Sequence, residues 1–99
     1  QMALALIWSP RALDDIEDIA EYINRDSPIY AASTVAKIFE SAQPLVDYPR
    51  VGRVVPETGI ETIRELFIFQ YRLIYEITDQ EIHVLSVVHG KRILKTDEI

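Results

Sequence analysis

The chain changes its hydrophobic period near residue 54, and this change limits the folds that it can adopt. Before that point apolar residues recur at spacings of three and four, as at Ile16, Ile19 and Ile23, which is typical of one helix face. After it, segments rich in Ile, Val, Leu, Phe and Tyr favour strands, and short connections favour antiparallel hairpins. The pattern predicts an α+β domain with its helices first and most of its strands last.

The first half is predicted to contain one strand and two helices. The apolar run Ala3–Trp8 predicts a buried strand, and Ser9 and Pro10 suit the N-cap and first turn of a helix. A second helix can begin at Pro28, and Pro44 is expected to kink or shorten its last turn. Two antiparallel helices cover one face of a sheet, so the other face is expected to stay at least partly open and to bind a partner or substrate.

The second half is predicted to supply the remaining strands. Candidate strands are Val54-Val55, Thr62–Phe67, Tyr71–Ile77 and Glu81–Val88. The expected order is therefore β-α-α-β-β-β(-β), in a small single domain whose sheet is antiparallel. A length of 99 residues fits one domain, which we place at residues 2–99 because Met2 is the expected natural start after Gln1.

Several classes of function are excluded or disfavoured by composition. The chain has no cysteine, which removes thiol nucleophiles, disulfides and thiolate metal sites and fits a reducing cytoplasm. We recognise no signal peptide and no apolar run near the ~20 residues of a membrane helix, so a cytoplasmic protein without membrane contact is expected. With three glycines and no phosphate-binding motif, no cofactor is expected.

A metal site is not expected either. His83 and His89 are predicted to share one side of the last strand, about 20 Å apart, which is too far to share an ion. Carboxylates of the first helix, Asp14, Asp15, Asp18 and Glu21, are best interpreted as a solvated face near a helix N-terminus.

The formal net charge of −6 is unevenly distributed along the chain. Residues 1–47 hold three basic and eight acidic residues, a net −5, whereas residues 48–99 hold seven basic and eight acidic ones, a net −1. An acidic chain is a poor ligand for nucleic acid by electrostatics alone, because phosphate binding needs clustered cations. The nearly neutral sheet half remains open to an anionic or acidic partner.

Cations and apolar residues of the second half are the candidate binding groups. Arg64 and Arg72 flank the turn Leu66–Tyr71 and could point to one face, where they would either pair with nearby glutamates or bind an acidic partner. The segment His89-Gly90-Lys91-Arg92 is either a surface cluster at a strand end or a contact region for a nucleic acid or protein. The turn Phe67–Gln70 is unusually apolar, so its side chains either enter the core or anchor a partner.

An ordered set of short segments spans nearly the whole chain and resembles the ParE/RelE toxin superfamily. No single segment is specific for this superfamily, but the ordered set with its spacing is. They are Trp8-Ser9-Pro10-Arg11-Ala12, Asp15-Ile16 with Ile19, Tyr22-Ile23, Pro49-Arg50-Val51-Gly52-Arg53, Ile63-Arg64-Glu65-Leu66, Tyr71-Arg72-Leu73-Ile74-Tyr75 and Val88-His89-Gly90-Lys91-Arg92. The fold of that superfamily agrees with the order predicted above.

The resemblance implies the toxin of a type II toxin–antitoxin pair, often borne on plasmids and linked to plasmid stabilisation. A cognate antitoxin would neutralise it by wrapping a largely disordered segment around it. RelE-like members cut mRNA in the ribosomal A site with basic residues and a C-terminal tyrosine or a histidine substitute. ParE-like members are not known to cut RNA and act on DNA gyrase.

The residues favour the ParE-like branch. Arg64 and Arg72 match two basic strand positions of the nucleases, but Ile93-Leu94 stands where those enzymes place a tyrosine, and none follows Tyr75. We expect a protein that binds gyrase without being an enzyme. The predicted target-binding residues are Arg64, Arg72, Phe69, His89, Lys91 and Arg92.

Two alternatives remain open at this point. One is a ribosome-dependent mRNA endonuclease with Arg64, Arg72 and His89 as its catalytic set, and the other is a binding module without toxicity. A homodimer or a toxin–antitoxin hetero-oligomer is compatible with either. If Arg72 contacts the target, Arg72→Ala should lower toxicity and leave the fold intact; if it forms a structural ion pair, the same change should unfold the protein.

Overall fold

The structure of the protein is a computed structural model, and it describes residues 3–99. In chain order the elements are β1 (Ala5–Trp8), α1 (Pro10–Asn24), α2 (Pro28–Ala42), a 3₁₀ turn (Gln43–Val46), β2 (Arg53–Val54), β3 (Ile63–Ile68), β4 (Tyr71–Ile77), β5 (Glu81–His89) and a second 3₁₀ turn (Thr96–Glu98). The predicted order of strands and helices is confirmed, and most element bounds agree to within two residues.

The five strands form one mixed sheet in the order β1-β5-β4-β3-β2. Strands β2 to β5 pair antiparallel through short connections, as predicted, but β1 lies parallel to β5. A parallel pair needs a long crossover rather than a hairpin, and most of the chain lies between these two strands. The prediction of a purely antiparallel sheet is therefore corrected at this one pair.

Local sequence signals set the ends of both helices. The Ser9 hydroxyl accepts a hydrogen bond from the Ala12 amide at 3.0 Å, and the Ser27 hydroxyl accepts one from the Tyr30 amide at 3.1 Å. Each serine precedes a proline in the first helical turn, where a missing amide costs nothing. Pro44 falls just after α2, in the 3₁₀ turn, which confirms the predicted shortening.

The main apolar core lies between the two helices and one sheet face. Its helical side includes Ile16 and Ile38, and its sheet side includes Leu73, Tyr75 and Val84, all of them buried. Burial of this area is the principal driving force for folding. Within residues 3–99, no helix is long and apolar enough to cross a membrane.

The opposite sheet face is covered in part by the C-terminal segment, which we call the tail (residues 90–99). Leu94 of the tail is 3% exposed and packs with Val55, Ile74 and Val88 in a second, smaller core. The sequence predicted a partly open face and gave the tail no assignment. This face is thus less open than expected, because the tail lies across it.

A β-bulge in β5 changes which side chains face the helices. Ser86 is opposite Ile74, but Val84 is opposite Tyr75, so Leu85 is an extra residue on β5. Two side chains of α1 bind the strand here: the Ser9 hydroxyl donates to the Leu85 carbonyl at 3.0 Å, and the Val87 amide donates to the Asp15 carboxylate at 2.9 Å.

Because of the bulge, the prediction that His83 and His89 share one side of the last strand is wrong. His83 is opposite Glu76, whereas His89 is opposite Tyr71, whose ring belongs to the main core. An extra residue reverses the alternation of side chains, so the histidines lie on opposite faces rather than on the same one. They remain unsuited to a shared ion, and residues 3–99 contain no group of three metal-ligating side chains.

Candidate functional site

Arg72 lies at the centre of a buried ion network beneath the tail. Its side chain is 4% exposed and donates to both oxygens of Glu57 at 2.7 Å and to Glu65 at 2.7 Å. A further N–H group donates to the Arg92 carbonyl at 2.9 Å. The Glu65 carboxylate is fully buried and also accepts from Arg53 at 2.6 Å. This network joins β2, β3, β4 and the tail.

Glu57 links the network to the tail backbone. Its carboxylate accepts hydrogen bonds from Arg72 and, at 3.1 Å, from the Leu94 amide. The Arg72 guanidinium is the main cause that lowers the pKa of Glu57 from 4.5 to about 2, and the Leu94 bond acts in the same direction. Glu57 therefore stays ionised at neutral pH, and in that form it accepts the bonds from both Arg72 and Leu94.

Arg64 braces a loop instead of facing the solvent. Its guanidinium donates to the Gly52 carbonyl at 3.0 Å, to the Arg50 carbonyl at 3.3 Å and to the Glu61 carboxylate at 2.7 Å. The same loop is fixed by the Tyr75 hydroxyl, which donates to the Pro49 carbonyl at 2.7 Å and accepts from the Gly52 amide at 3.1 Å. A Cβ at position 52 would lie 2.5 Å from the Glu65 carbonyl, so only glycine fits there.

The two arginines do not share a face of the sheet. Arg64 is opposite Tyr75, in the main core, whereas Arg72 is opposite Phe67, on the tail-covered face. The suggestion that both arginines could point to one face is therefore wrong, because successive side chains alternate between the faces and the β3–β4 register places these two on opposite ones. The contacts of Arg72 favour the structural interpretation of that residue.

An exposed aromatic and basic surface wraps around the end of the sheet where β3 turns into β4, with Phe67 on the tail-covered side and His89 on the helix-covered side. We call it the tip surface, and define it as Arg53, Phe67, Phe69, His89 and Lys91. Phe67 and Phe69 are 54% and 55% exposed, and the Arg53 guanidinium lies 5.1 Å from the centre of the Phe67 ring. Large exposed aromatic side chains next to cations are typical of protein-binding surfaces. Ile68, between the two phenylalanines, is buried instead.

The turn that carries Phe69 is strained. Phe69 has a φ of 54°, in the left-handed region that bulky residues rarely adopt. The following residue, Gln70, accepts a hydrogen bond from the Gly90 amide at 2.6 Å, and a Cβ at position 90 would approach the Gln70 carbonyl to 2.9 Å. Close packing of the tail onto the turn thus holds an unfavourable backbone conformation.

The predicted target-binding residues are therefore divided among different environments. Phe69, His89 and Lys91 are exposed at the tip surface. Arg92 is half-exposed and pairs with Glu98, and Arg64 and Arg72 are engaged in internal bonds. Arg53 was not among the predicted target-binding residues, and no local signal showed that it would lie over Phe67.

Comparisons with known proteins agree with this fold. Residues 6–94 match the sequence model of a family described as the ParE toxin of the type II toxin–antitoxin system parDE. Toxin RelE2 of Caulobacter vibrioides is 30% identical over 89 residues, which cover 89% of this chain and 97% of that protein.

Two solved structures share the architecture. One, from a chromosomal ParDE system of P. aeruginosa, has a TM-score of 0.75 and 22% identity, covering 90% of this chain and 98% of the other. An arginine-to-alanine double mutant of the E. coli toxin RelE in the free state has a TM-score of 0.65 and 18% identity, covering 91% and 86%. These two likenesses concern the fold, whereas the family match covers most of the sequence. The chain therefore belongs to the ParE toxin family of type II toxin–antitoxin systems.

Proposed function

We propose that this toxin inhibits DNA gyrase by binding it through the tip surface, and that a cognate antitoxin neutralises it. The observation that carries the proposal is the exposure of Phe69 on a strained turn, at the same end of the sheet as the exposed Phe67, His89 and Lys91. An aromatic anchor surrounded by polar and charged groups is the usual composition of an energetically important protein contact.

The placement of the arginines supports binding over RNA cleavage. A nuclease would need a base and an acid at one phosphate, with free cations around them. Here the N–H groups of Arg72 are bonded to Glu57 and Glu65, and those of Arg64 are bonded to Glu61 and to backbone carbonyls. The two arginines lie on opposite faces of the sheet. His89 lies on the same face as the main core, away from the face of Arg72. These three groups do not converge on one reacting atom.

Different roles follow for the six predicted target-binding residues. We assign direct contact with the target to Phe69, His89 and Lys91, whose side chains reach the solvent. Arg92, at 51% exposure, can contribute at the margin. Arg64 and Arg72 would act indirectly, by fixing the loop and the tail on either side of the contact surface.

Phe69→Asn tests the proposal most directly. Asparagine tolerates a positive φ, so this variant should gain up to about 1 kcal/mol in unfolding free energy. Loss of an aromatic anchor costs about 2 kcal/mol of binding, so inhibition of gyrase supercoiling should weaken roughly 30-fold. The paired measurements are chemical denaturation and a supercoiling assay with purified gyrase.

Tyr48→Asn serves as the matched control, because Tyr48 is 68% exposed and lies outside the tip surface. The Tyr48→Asn variant should inhibit gyrase supercoiling within about twofold of the unchanged protein. Equal inhibition by the Phe69 variant would show that the tip surface is not the contact. Cleavage of mRNA in the A site of translating ribosomes, with gyrase unaffected, would replace the proposal by the endonuclease alternative.

A further inference from the structure

A cleft of about 450 Å³ lies between α1 and the adjoining ends of β4 and β5. Its lining includes Asp18 and Tyr22 from α1, Tyr71 from β4 and His89 from β5. His89 belongs to both the cleft and the tip surface, and Gln70 at the cleft edge follows Phe69 directly. The cleft and the tip surface are therefore continuous.

The walls of the cleft are aromatic. The Tyr71 ring is 7% exposed and meets the His89 ring edge to face, with their centres 6.1 Å apart. Burial is the main cause that raises the pKa of Tyr71, so its hydroxyl remains neutral. The face of a tyrosine ring attracts cations, and the Arg25 guanidinium already lies 5.9 Å from the centre of the Tyr22 ring.

The rim of the cleft carries negative charge. Asp18 is exposed and forms no ion pair with any residue in the described range 3–99. Asp15, three residues earlier, does not line the cleft, but its carboxylate accepts a hydrogen bond from the amide of Val87, which does. Of the nearby cations, Arg11 and Arg92 are bonded to Glu98, and Arg25 lies over one face of the Tyr22 ring. A ligand with positive charge and a flat or extended apolar stem fits these walls and this rim.

We propose that this cleft binds an arginine or lysine side chain of the antitoxin. This inference rests on the proposed function, because it takes the antitoxin as the partner. Asp18 would pair with the cation, while Tyr71 and the face of Tyr22 that is turned away from Arg25 would contact its apolar stem. A peptide segment anchored here crosses His89 and covers the tip surface, so neutralisation would follow from direct occlusion of the target contact.

The test begins with a small probe, Nα-acetyl-L-arginine methylamide, and its neutral citrulline analogue. In ¹⁵N-HSQC spectra of the intact chain, the arginine probe should cause saturable shifts at the Asp18, Tyr22, Val87 and His89 amides. The citrulline analogue should cause much smaller ones, because it has the same length without the charge. Equal responses to both probes, or shifts spread over the whole surface, would overturn the proposal.

Two matched variants extend the test to the antitoxin. Asp18→Asn and Asp14→Asn remove the same charge from the same helix, but Asp14 does not line the cleft. The measurement is the affinity of each variant for the candidate antitoxin, which is the protein encoded by the reading frame next to the toxin gene. Asp18→Asn should weaken it about tenfold and Asp14→Asn less than twofold; equal effects would overturn the proposal. Gyrase inhibition by the free toxin is scored separately, so failure of the proposed function is recognised by its own assay.

Discussion

The two faces of the sheet are stabilised in different ways. The helix-covered face is an apolar core with buried side chains from α1, α2 and three strands. The tail-covered face has a cluster of four buried apolar residues among those described, and places the Arg72 network beside them. The first depends on area removed from water, whereas the second also depends on the geometry and ionisation of a few charged groups. The second face should therefore respond more to single charge changes and to pH.

The largest expected difference between the faces comes from Arg72→Ala. The change leaves the fully buried Glu65 carboxylate with one exposed partner and removes the main partner of Glu57. Breaking a buried pair in this way costs about 3–5 kcal/mol. Urea denaturation should show this loss directly.

Arg53→Ala is the matched control, because Arg53 contacts the same Glu65 oxygen pair but is 59% exposed. We expect it to cost about 1 kcal/mol or less, as exposed pairs do. If both variants lost the same stability, the burial of Arg72 would not be the cause.

Leucine truncations compare the apolar parts of the two faces. Leu73→Ala opens a cavity in the main core and should cost about 3 kcal/mol or more, since Leu73 is fully buried between the helices and the sheet. Leu94→Ala should cost about 2 kcal/mol, because the tail can close part of the gap. Denaturant midpoints of the two variants give the ranking, and a reversed order would show that the tail is the more rigid element.

The last comparison between the two faces uses acid. Because the pKa of Glu57 is lowered from 4.5 to about 2, its contribution to stability is complete above pH 4.5 and is lost as pH falls toward 2. The Leu94 amide should then exchange with solvent faster, while the Leu73 amide remains protected. Hydrogen exchange at pH 5 and pH 2.5, corrected for intrinsic rates, measures both; equal protection of Leu94 at the two values would contradict this role of Glu57.

Elements that depend on local chemistry were predictable from the sequence. Ser9 and Pro10 set the start of α1, Pro44 set the end of α2, and the alternation of apolar residues located β3, β4 and β5. The predicted family is confirmed by the match over residues 6–94.

Features that depend on contacts between distant segments were not predictable. The extra residue Leu85 reverses the face of His89. Ser9 binds the Leu85 carbonyl, and Asp15, which the sequence suggested was simply solvated, binds the Val87 amide two residues later. Burial of Asp15 raises its pKa, against the opposing effect of the Val87 bond. The tail lacks a periodic pattern, so its position over Arg72 could be seen only in three dimensions.

The contact between Gly90 and Gln70 has a consequence for how the molecule responds to ligands. The 2.6 Å bond joins the strained turn directly to the start of the tail. Thermodynamic linkage then requires that any ligand that binds Phe69 more tightly when this bond is intact also holds the tail in place by the same free energy. Conversely, a ligand that breaks this bond by detaching the tail lowers the affinity for that first ligand by an equal factor, even without touching Phe69.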